Sequence, residues 1–597
     1  MKATRRILSL VLALLIAALC AAPAFAGSGP GYTVDKTPTI LIHGILQSDV
    51  YLIGDDGKPV LGENGKPIEG MPKDIDANAI IMQLLPQAIF SLLFQHDMGL
   101  IKKGRAIVND IFKYLQNDGE GQPVNNMQVV RYPNSLKDST PEERRRVYGT
   151  LPMEQLGEII GEENLYFFTY DSFGNHRDSV DELYAFIKKV RKEHKVDKVN
   201  LVPISLGGTY FNALIDYYPE TQDWLNKVVL VIGAMDGSKI IGDMFTGNLG
   251  VQNKNLYYDM VPQLMGEGYL SYLINIALRL LPKKLVYQVF DMAVQSLVGD
   301  ILSYCTNMWT LVPMADYNKA AKLWLMDGKH DEVRVQAERY YQAQKRSKAH
   351  IKALKEEKNV KMYAIAEYDF PMYAIAGSWR EVNSDGVIHL DSTSMGATAG
   401  WINTPLPKGY EQQKCKNHNH ISPDGIVDAS TCLLPDHTWF FKNQAHEATG
   451  RSDIVIRQVI RLVAEKEYRD VIALKDEWPQ FNQGREVNGA KGDLAEARKV
   501  DLTTLSEADK KELQAAVAAA EDMFERTIAD TAGDKAIQNR LRAILVKIGV
   551  RGAPEEDKAA KWLDPILWFF NAVTYYCYGP RGFIDPFWKI WTQKWWY

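Results

Sequence analysis

The spacing of apolar residues divides the chain into two kinds of segment. From Thr37 onward, short unbroken apolar runs alternate with longer stretches in which apolar residues return every third or fourth place. PTILIHGIL, NLYFFTYD (164–171), VDKVNLVPI, KVVLVIGA (227–234) and VKMYAIA (360–366) are runs of the first kind. Unbroken apolarity over so few residues predicts strands buried on both faces of a parallel sheet. VDELYAFIKKVRKEH is of the second kind, with Val180, Leu183, Ile187 and Val190 on one stripe of a helix. GGTYFNALIDYY reads as another helix. DIVIRQVIRLVAEKEY (453–468) reads as the last core helix, with Val455, Val459 and Leu462 on one face. Strand then helix, repeated, predicts an α/β fold with a parallel sheet between helical layers.

Other stretches break this rhythm. DGKP and NGKP (56–59 and 64–67) predict the turns of a surface hairpin. Residues 254–325 are helical in pattern and unusually apolar, as in YLINIALRLL and KKLVYQVFDMAVQSLVGDIL. They predict a helical cap, about 245–350, whose inner face could meet lipid; its charged end, 330–358, reads as a solvated helix. The main α/β domain is expected over 27–475. GREVNGAKGD reads as a linker into a helical C-terminal region, 476–597, where Ser506 caps a polar helix and Asp509 completes a capping box. The aromatic end from Trp562 is interrupted by Pro565, Gly579, Pro580 and Pro586, which argues against a membrane-spanning helix. It suits either packing on the main domain or contact with a lipid interface.

Composition narrows the function classes. A formal net charge of −5 without a long basic run gives nucleic acid no electrostatic footprint. Residues 1–26 carry Lys2, Arg5 and Arg6, then an apolar core, then Ala24-Phe25-Ala26, the pattern of a cleaved signal peptide. The expectation is a secreted protein, extracellular or at the cell surface. In an oxidising compartment Cys415 and Cys432 are the natural local disulfide pair, whereas Cys305 and Cys577 remain unassigned. Cys415, His418 and His420 in KCKNHNH have metal-binding side chains, but the stapled loop is the preferred reading. No metal and no cofactor are expected.

The candidate chemistry is acyl transfer, which needs a nucleophile on a sharp turn, a base, an acid to orient the base, and donors for an oxyanion. Ser205 stands between an apolar strand and a helix in NLVPISLGGTYFNAL, with Gly207 and Gly208 supplying the small residues that close strand–helix packing requires. The backbone N–H of Leu206 and that of Ile45 or Leu46, after the first strand, are the expected oxyanion donors. His43 is expected to be structural. Asp385, in the NSDG turn after a late strand, is the expected acid, with Asp369 and Asp391 as alternatives. His446, in the loop before the last core helix, is the expected base, with His437 as the alternative.

These segments, in this order, resemble the lecithin:cholesterol acyltransferase-like lipases of the α/β-hydrolase superfamily. VDKVNLVPISLGG resembles their strand and nucleophile turn, ILIHGI their oxyanion strand, and NSDGVIHLDS their acid turn. YFFTYDSFGNHRDSVDELYAFI resembles their tyrosine–aspartate strand with its helix; GAMDGSKIIGDMFTG and NMWTLVPMADY resemble segments flanking their cap. The likeness covers about residues 37–470. Departures are Pro203-Ile204, where those proteins usually have Gly-His, and Ser172-Phe173, where they commonly have Trp-Arg. The resemblance implies an α/β-hydrolase fold, a Ser205–His446–Asp385 triad and an ester of a lipid as substrate. A lipid acyltransferase or phospholipase with the same triad, and a non-catalytic surface-binding protein on this scaffold, are the alternatives.

Overall fold

The structure, a computed structural model, describes residues 31–72, 77–249, 256, 260–487, 489–552 and 558–578. The expected signal peptide and the chain after Tyr578 lie outside these residues. Seven strands form the central sheet: β1 (Thr39–Ile42), β2 (Leu165–Phe168), β3 (Val199–Pro203), β4 (Leu225–Val231), β5 (Lys361–Tyr368), β6 (Thr438–Lys442) and β7 (Phe481–Gln483). Their spatial order is β7-β6-β5-β4-β3-β1-β2, and every pairing is parallel. The expected α/β sheet is therefore present. Because β2 and β3 flank β1 on opposite sides, the chain order reverses at β1. Such a switch point opens a crevice at the carboxyl ends of the strands, where ligands bind in open α/β sheets.

Residue alternation along the strands builds two cores. Ile40, Ile42, Leu201, Val228 and Leu230 face one way, while Leu41, Val202, Val229 and Val231 face the other. In chain order the helices that matter here are α1 (Ala77–Phe94), α2 (Leu100–Ile111), α3 (His176–His194), α4 (Gly207–Tyr217), α5 (Tyr269–Leu280), α6 (Lys283–Val294), α7 (Asp331–Glu356), α8 (Asp453–Ala464), α9 (Glu507–Glu525), α10 (Thr531–Lys547) and α11 (Lys558–Tyr578). The predicted stripe of α3 is fully buried against the first face, and that of α8 against the second. The helix expected to be solvated, α7, instead buries Val333, Ala337, Tyr340, Ile351 and Leu354 on the first face. Its stripe is masked in the sequence by the polar residues Gln344 and Ser347, both buried. Ser347 donates a hydrogen bond to the Asn212 side chain of α4 at 2.6 Å.

The apolar stretch after residue 260 forms a helical layer. Helices α5 and α6 contribute Ile274, Leu278, Val286 and Phe290 to a core shared with Met372, Ala374, Ala376 and Trp379 of the long loop after β5. Helix α11 runs unbroken through Pro565 and packs on α5. Arg279 of α5 locks that contact, donating to the Asn571 carbonyl at 2.9 Å and to its side chain at 2.5 Å. The hairpin turns fall where DGKP and NGKP place them, with Gly57 and Gly65 at positive φ. The strand preceding them, Val50–Leu52, pairs antiparallel with Met127–Val129.

Two expectations need correction. The segment read as a linker, residues 484–493, is anchored rather than free: it follows directly on edge strand β7, and Arg485 within it is only 2% exposed. Arg485 forks onto both Asp453 oxygens at 2.5 and 2.8 Å and donates to the Met523 carbonyl at 2.6 Å. Asp534 lies 3.5 Å from it. The polar text GREVNG concealed this because a buried ionic anchor has no apolar signature. The expected Cys415–Cys432 disulfide is also absent; both residues are free thiols. Cys432 is buried with its sulfur toward the Thr438 hydroxyl, at 3.7 Å, while the Cys415 sulfur faces His418.

Candidate active site

Ser205 follows β3 on a turn with φ of 52°, a left-handed conformation that non-glycine residues adopt only when their surroundings impose it. The surroundings do so through hydrogen bonds on both sides. Its N–H donates to the Val231 carbonyl at 3.0 Å, and its carbonyl accepts from the N–H of Ala234 at 2.9 Å and from that of Gly208 at 2.9 Å. A Cβ on Gly207 would stand 2.7 Å from the Ile42 carbonyl oxygen, and one on Gly208 would stand 2.9 Å from the Ala234 nitrogen. Both clashes are with backbone, which cannot swing aside. Glycine is required at these two positions, as the sequence reading anticipated.

Pro203 costs little where it stands. Its ring is compatible with a strand end, and the residue after it keeps the ladder, since Ile204 donates to the Ile42 carbonyl at 2.9 Å. Regular pairing with β4 runs to Leu201–Val228 and resumes as a bridge at Ile204–Val231. The missing N–H therefore falls in a gap of the ladder.

Ser205, His446 and Asp385, 241 and 61 residues apart in sequence, meet in one hydrogen-bonded line. The Ser205 hydroxyl is 2.9 Å from His446 Nε2, and His446 Nδ1 is 2.8 Å from Asp385 Oδ2. His446 leaves β6 in a short helical turn that leads to α8. Asp385 reaches it from the loop on which α5 and α6 rest. The other Asp385 oxygen accepts from the N–H groups of Val387 and Ile388 at 2.9 and 2.7 Å, while its carbonyl accepts the His446 N–H at 2.8 Å. Desolvation opposes a charged imidazole at His446, but the Asp385 carboxylate and its hydrogen bond prevail and hold the pKa above the ordinary 6.5. Glu367 is also fully buried; burial, reinforced by the Asp385 charge, pushes its pKa well above the ordinary carboxylate range. Thr449 spans from the Glu367 carboxyl at 2.8 Å to the His446 carbonyl at 2.9 Å.

The expected oxyanion donors are only partly free. A Cβ on Gly44 would touch the Ser205 Cβ at 3.0 Å, so the loop after β1 lies against the nucleophile. Leu46 is turned away: its N–H donates to the Ser172 hydroxyl at 3.0 Å. Ile45 and Leu206 remain as the candidate donors. The contact from Ser172, at the position where Trp is common in the resembling proteins, was not legible in the sequence. A cavity of about 500 Å³ opens beside this loop, lined by Leu46, Ser48, Val50, Met71, Ser172 and Phe173 among others. Ser205 itself is only 6% exposed.

The alternatives lie elsewhere. His43 is buried, stacks on Tyr170 at 4.0 Å, and burial lowers its pKa to about 4, as suits a structural residue. His437 stacks on Tyr468 at 4.2 Å and is likewise held neutral by burial, with a pKa of about 4. Asp369 pairs with Lys442 at 3.3 Å, and Asp391 groups with Asp236 and His389. Compared with protein-family models and with curated proteins, the chain has no match.

Proposed function

We propose that the protein is a secreted serine hydrolase of α/β-hydrolase type that cleaves carboxylic esters of lipids. The observation that carries this reading is the unbroken line from the Ser205 hydroxyl through both nitrogens of His446 to Asp385, on a turn held at positive φ. A serine hydroxyl is a weak nucleophile until a neighbouring base removes its proton as it attacks. His446 Nε2 is placed to take that proton, and Asp385 fixes the Nδ1–H tautomer and stabilises the imidazolium. The Leu206 and Ile45 N–H groups stabilise the tetrahedral oxyanion, each such donor being worth about 100- to 1000-fold in rate. His446 returns the proton to the leaving alcohol. Water, deprotonated by the same imidazole, then frees the acid and Ser205.

Lipid as the substrate class is supported by apolar surface left exposed on two helices. Helix α1 exposes Met82, Leu85, Ile89, Phe90, Leu93 and Phe94, and α11 exposes Trp562, Ile566, Phe569 and Phe570. So much exposed apolar surface marks an interaction site in a soluble protein, and interfacial helices carry aromatic and aliphatic residues of this kind.

The test is labelling with a fluorophosphonate together with Ser205→Ala. The wild type should label at Ser205 and hydrolyse chromogenic acyl esters. The variant should fold, fail to label and lose turnover about a million-fold. Comparable hydrolysis by the folded variant would end the proposal.

A further inference from the structure

We infer that Cys415, His418, His420 and Asp436 form a tetrahedral site for a divalent transition-metal ion of zinc type. The four donor atoms lie within 4.8 Å of one another. The Cys415 sulfur is 3.6 Å from His418 Nδ1, His420 Nε2 is 3.3 Å from Asp436 Oδ1, and His418 Nδ1 is 3.8 Å from the same oxygen. Around a tetrahedral zinc ion, a thiolate at about 2.3 Å and an imidazole nitrogen at about 2.05 Å stand about 3.6 Å apart. Two N or O donors at about 2.05 Å stand about 3.3 Å apart. Two of the three separations match these edges, and the third exceeds its edge by only about half an ångström.

The hydrogen bonds around His420 supply an independent argument. Gln480 donates both to the Pro435 carbonyl, at 2.7 Å, and to the Thr438 carbonyl, at 3.1 Å, which fixes the orientation of its amide. Its oxygen then faces His420 Nδ1 at 2.8 Å, so Nδ1 must carry the proton. His420 Nε2 is left with a lone pair on a side chain that is 0% exposed, and it points at a carboxylate oxygen. Neither Nε2 nor Asp436 Oδ1 has a hydrogen-bond partner, and both atoms are buried. Two lone pairs confronted away from water repel unless a cation stands between them. A metal-ligating histidine usually donates its other ring N–H to an oxygen that fixes its tautomer, and here the Gln480 amide oxygen fills that place. A proton on Nε2 could join His420 to Asp436, but it would not account for the Cys415 sulfur and His418 Nδ1 converging within 4.8 Å of that same pair.

Four protein ligands close the coordination shell, so the site is structural rather than catalytic. It would clamp the irregular loop carrying residues 415–420 onto the turn Pro435–His437, immediately before β6, and the far end of β6 delivers His446. The inference does not depend on the ester-hydrolase reading, and its test does not use activity.

Metal-free full-length protein is titrated with Co²⁺ and, separately, with Zn²⁺. About one equivalent per chain should bind, with a thiolate-to-cobalt charge-transfer band and tetrahedral ligand-field intensity. Zn²⁺ should displace the cobalt and raise the melting temperature. Cys415→Ala should lose the charge-transfer band, and His420→Gln should lose stoichiometric uptake. His418→Ala, which alters a side chain 38% exposed, serves as a second ligand variant. Cys432→Ala should keep both the band and the stoichiometry. Substoichiometric binding, uptake unchanged in the ligand variants, or a Cys415–Cys432 disulfide mapped in protein from an oxidising compartment would overturn the inference.

Discussion

Asp385 illustrates how one side chain can set both geometry and acidity. One carboxylate oxygen is held by two backbone N–H groups, and the other is left to face His446. The carboxylate raises the imidazole pKa above its ordinary 6.5 against the desolvation that would lower it. His446 must be neutral to act as a base, so kcat/KM should fall on the acid side with a midpoint above 6.5. In Asp385→Asn that midpoint should move down, because the main opposition to burial is removed and only the Glu447 charge remains, and the plateau should drop about ten-thousand-fold. A pH–rate profile of both proteins checks the sign; a midpoint that rises or stays fixed contradicts it. The three residues were legible in the sequence because each sits at a punctuation mark: Ser205 before a double glycine, Asp385 in an Asp-Gly turn, His446 ahead of an amphipathic helix. The positions of Leu46 and Ser172 were not, since a loop residue that turns its N–H to a neighbour leaves no pattern.

Among the elements, the pieces that sequence periodicity revealed are those with one uniform face. Helices α3 and α8 and the first five strands announce themselves by apolar spacing. Strand β6 was overlooked because Thr438–Lys442 sits between polar turns, and α7 because buried Gln344 and Ser347 interrupt its stripe. The largest omission was the junction at Arg485. Its guanidinium links the first turn of α8 to the carbonyl of Met523 in α9 and to Asp534 of α10. Removing the guanidinium leaves buried Asp453 without its ion-pair partner, although Asp534 keeps Arg526 at 2.6 Å, and loss of one partner of a buried pair costs about 3–5 kcal/mol. Arg485→Ala should therefore lower the denaturant midpoint by a corresponding amount, and a loss below about 1 kcal/mol would mean that the network contributes little.

At the scale of the whole molecule, helices α1 and α11 each leave large apolar side chains exposed, and the lipid reading proposed above can be tested on them. Trp562, Phe569 and Phe570 are 75%, 57% and 51% exposed, so replacing all three with serine should leave the fold intact. Adsorption to lipid emulsions should weaken at least about tenfold, given about 1.5–3 kcal/mol for each large apolar side chain fully withdrawn from water. Turnover of a soluble short-chain ester should be unchanged. Unaltered adsorption would make these aromatics a structural surface only.

The Arg485 junction also has a consequence for the order of events during synthesis. The groups that enclose it, at residues 523 and 534, are among the last fifth of the chain to be made. Until they emerge, Asp453 and Arg485 lack their cover, and the helix that begins at Asp453, seven residues beyond His446, is unanchored at its start. The start of that helix therefore gains its full set of anchors only once residues 523 and 534 have been made.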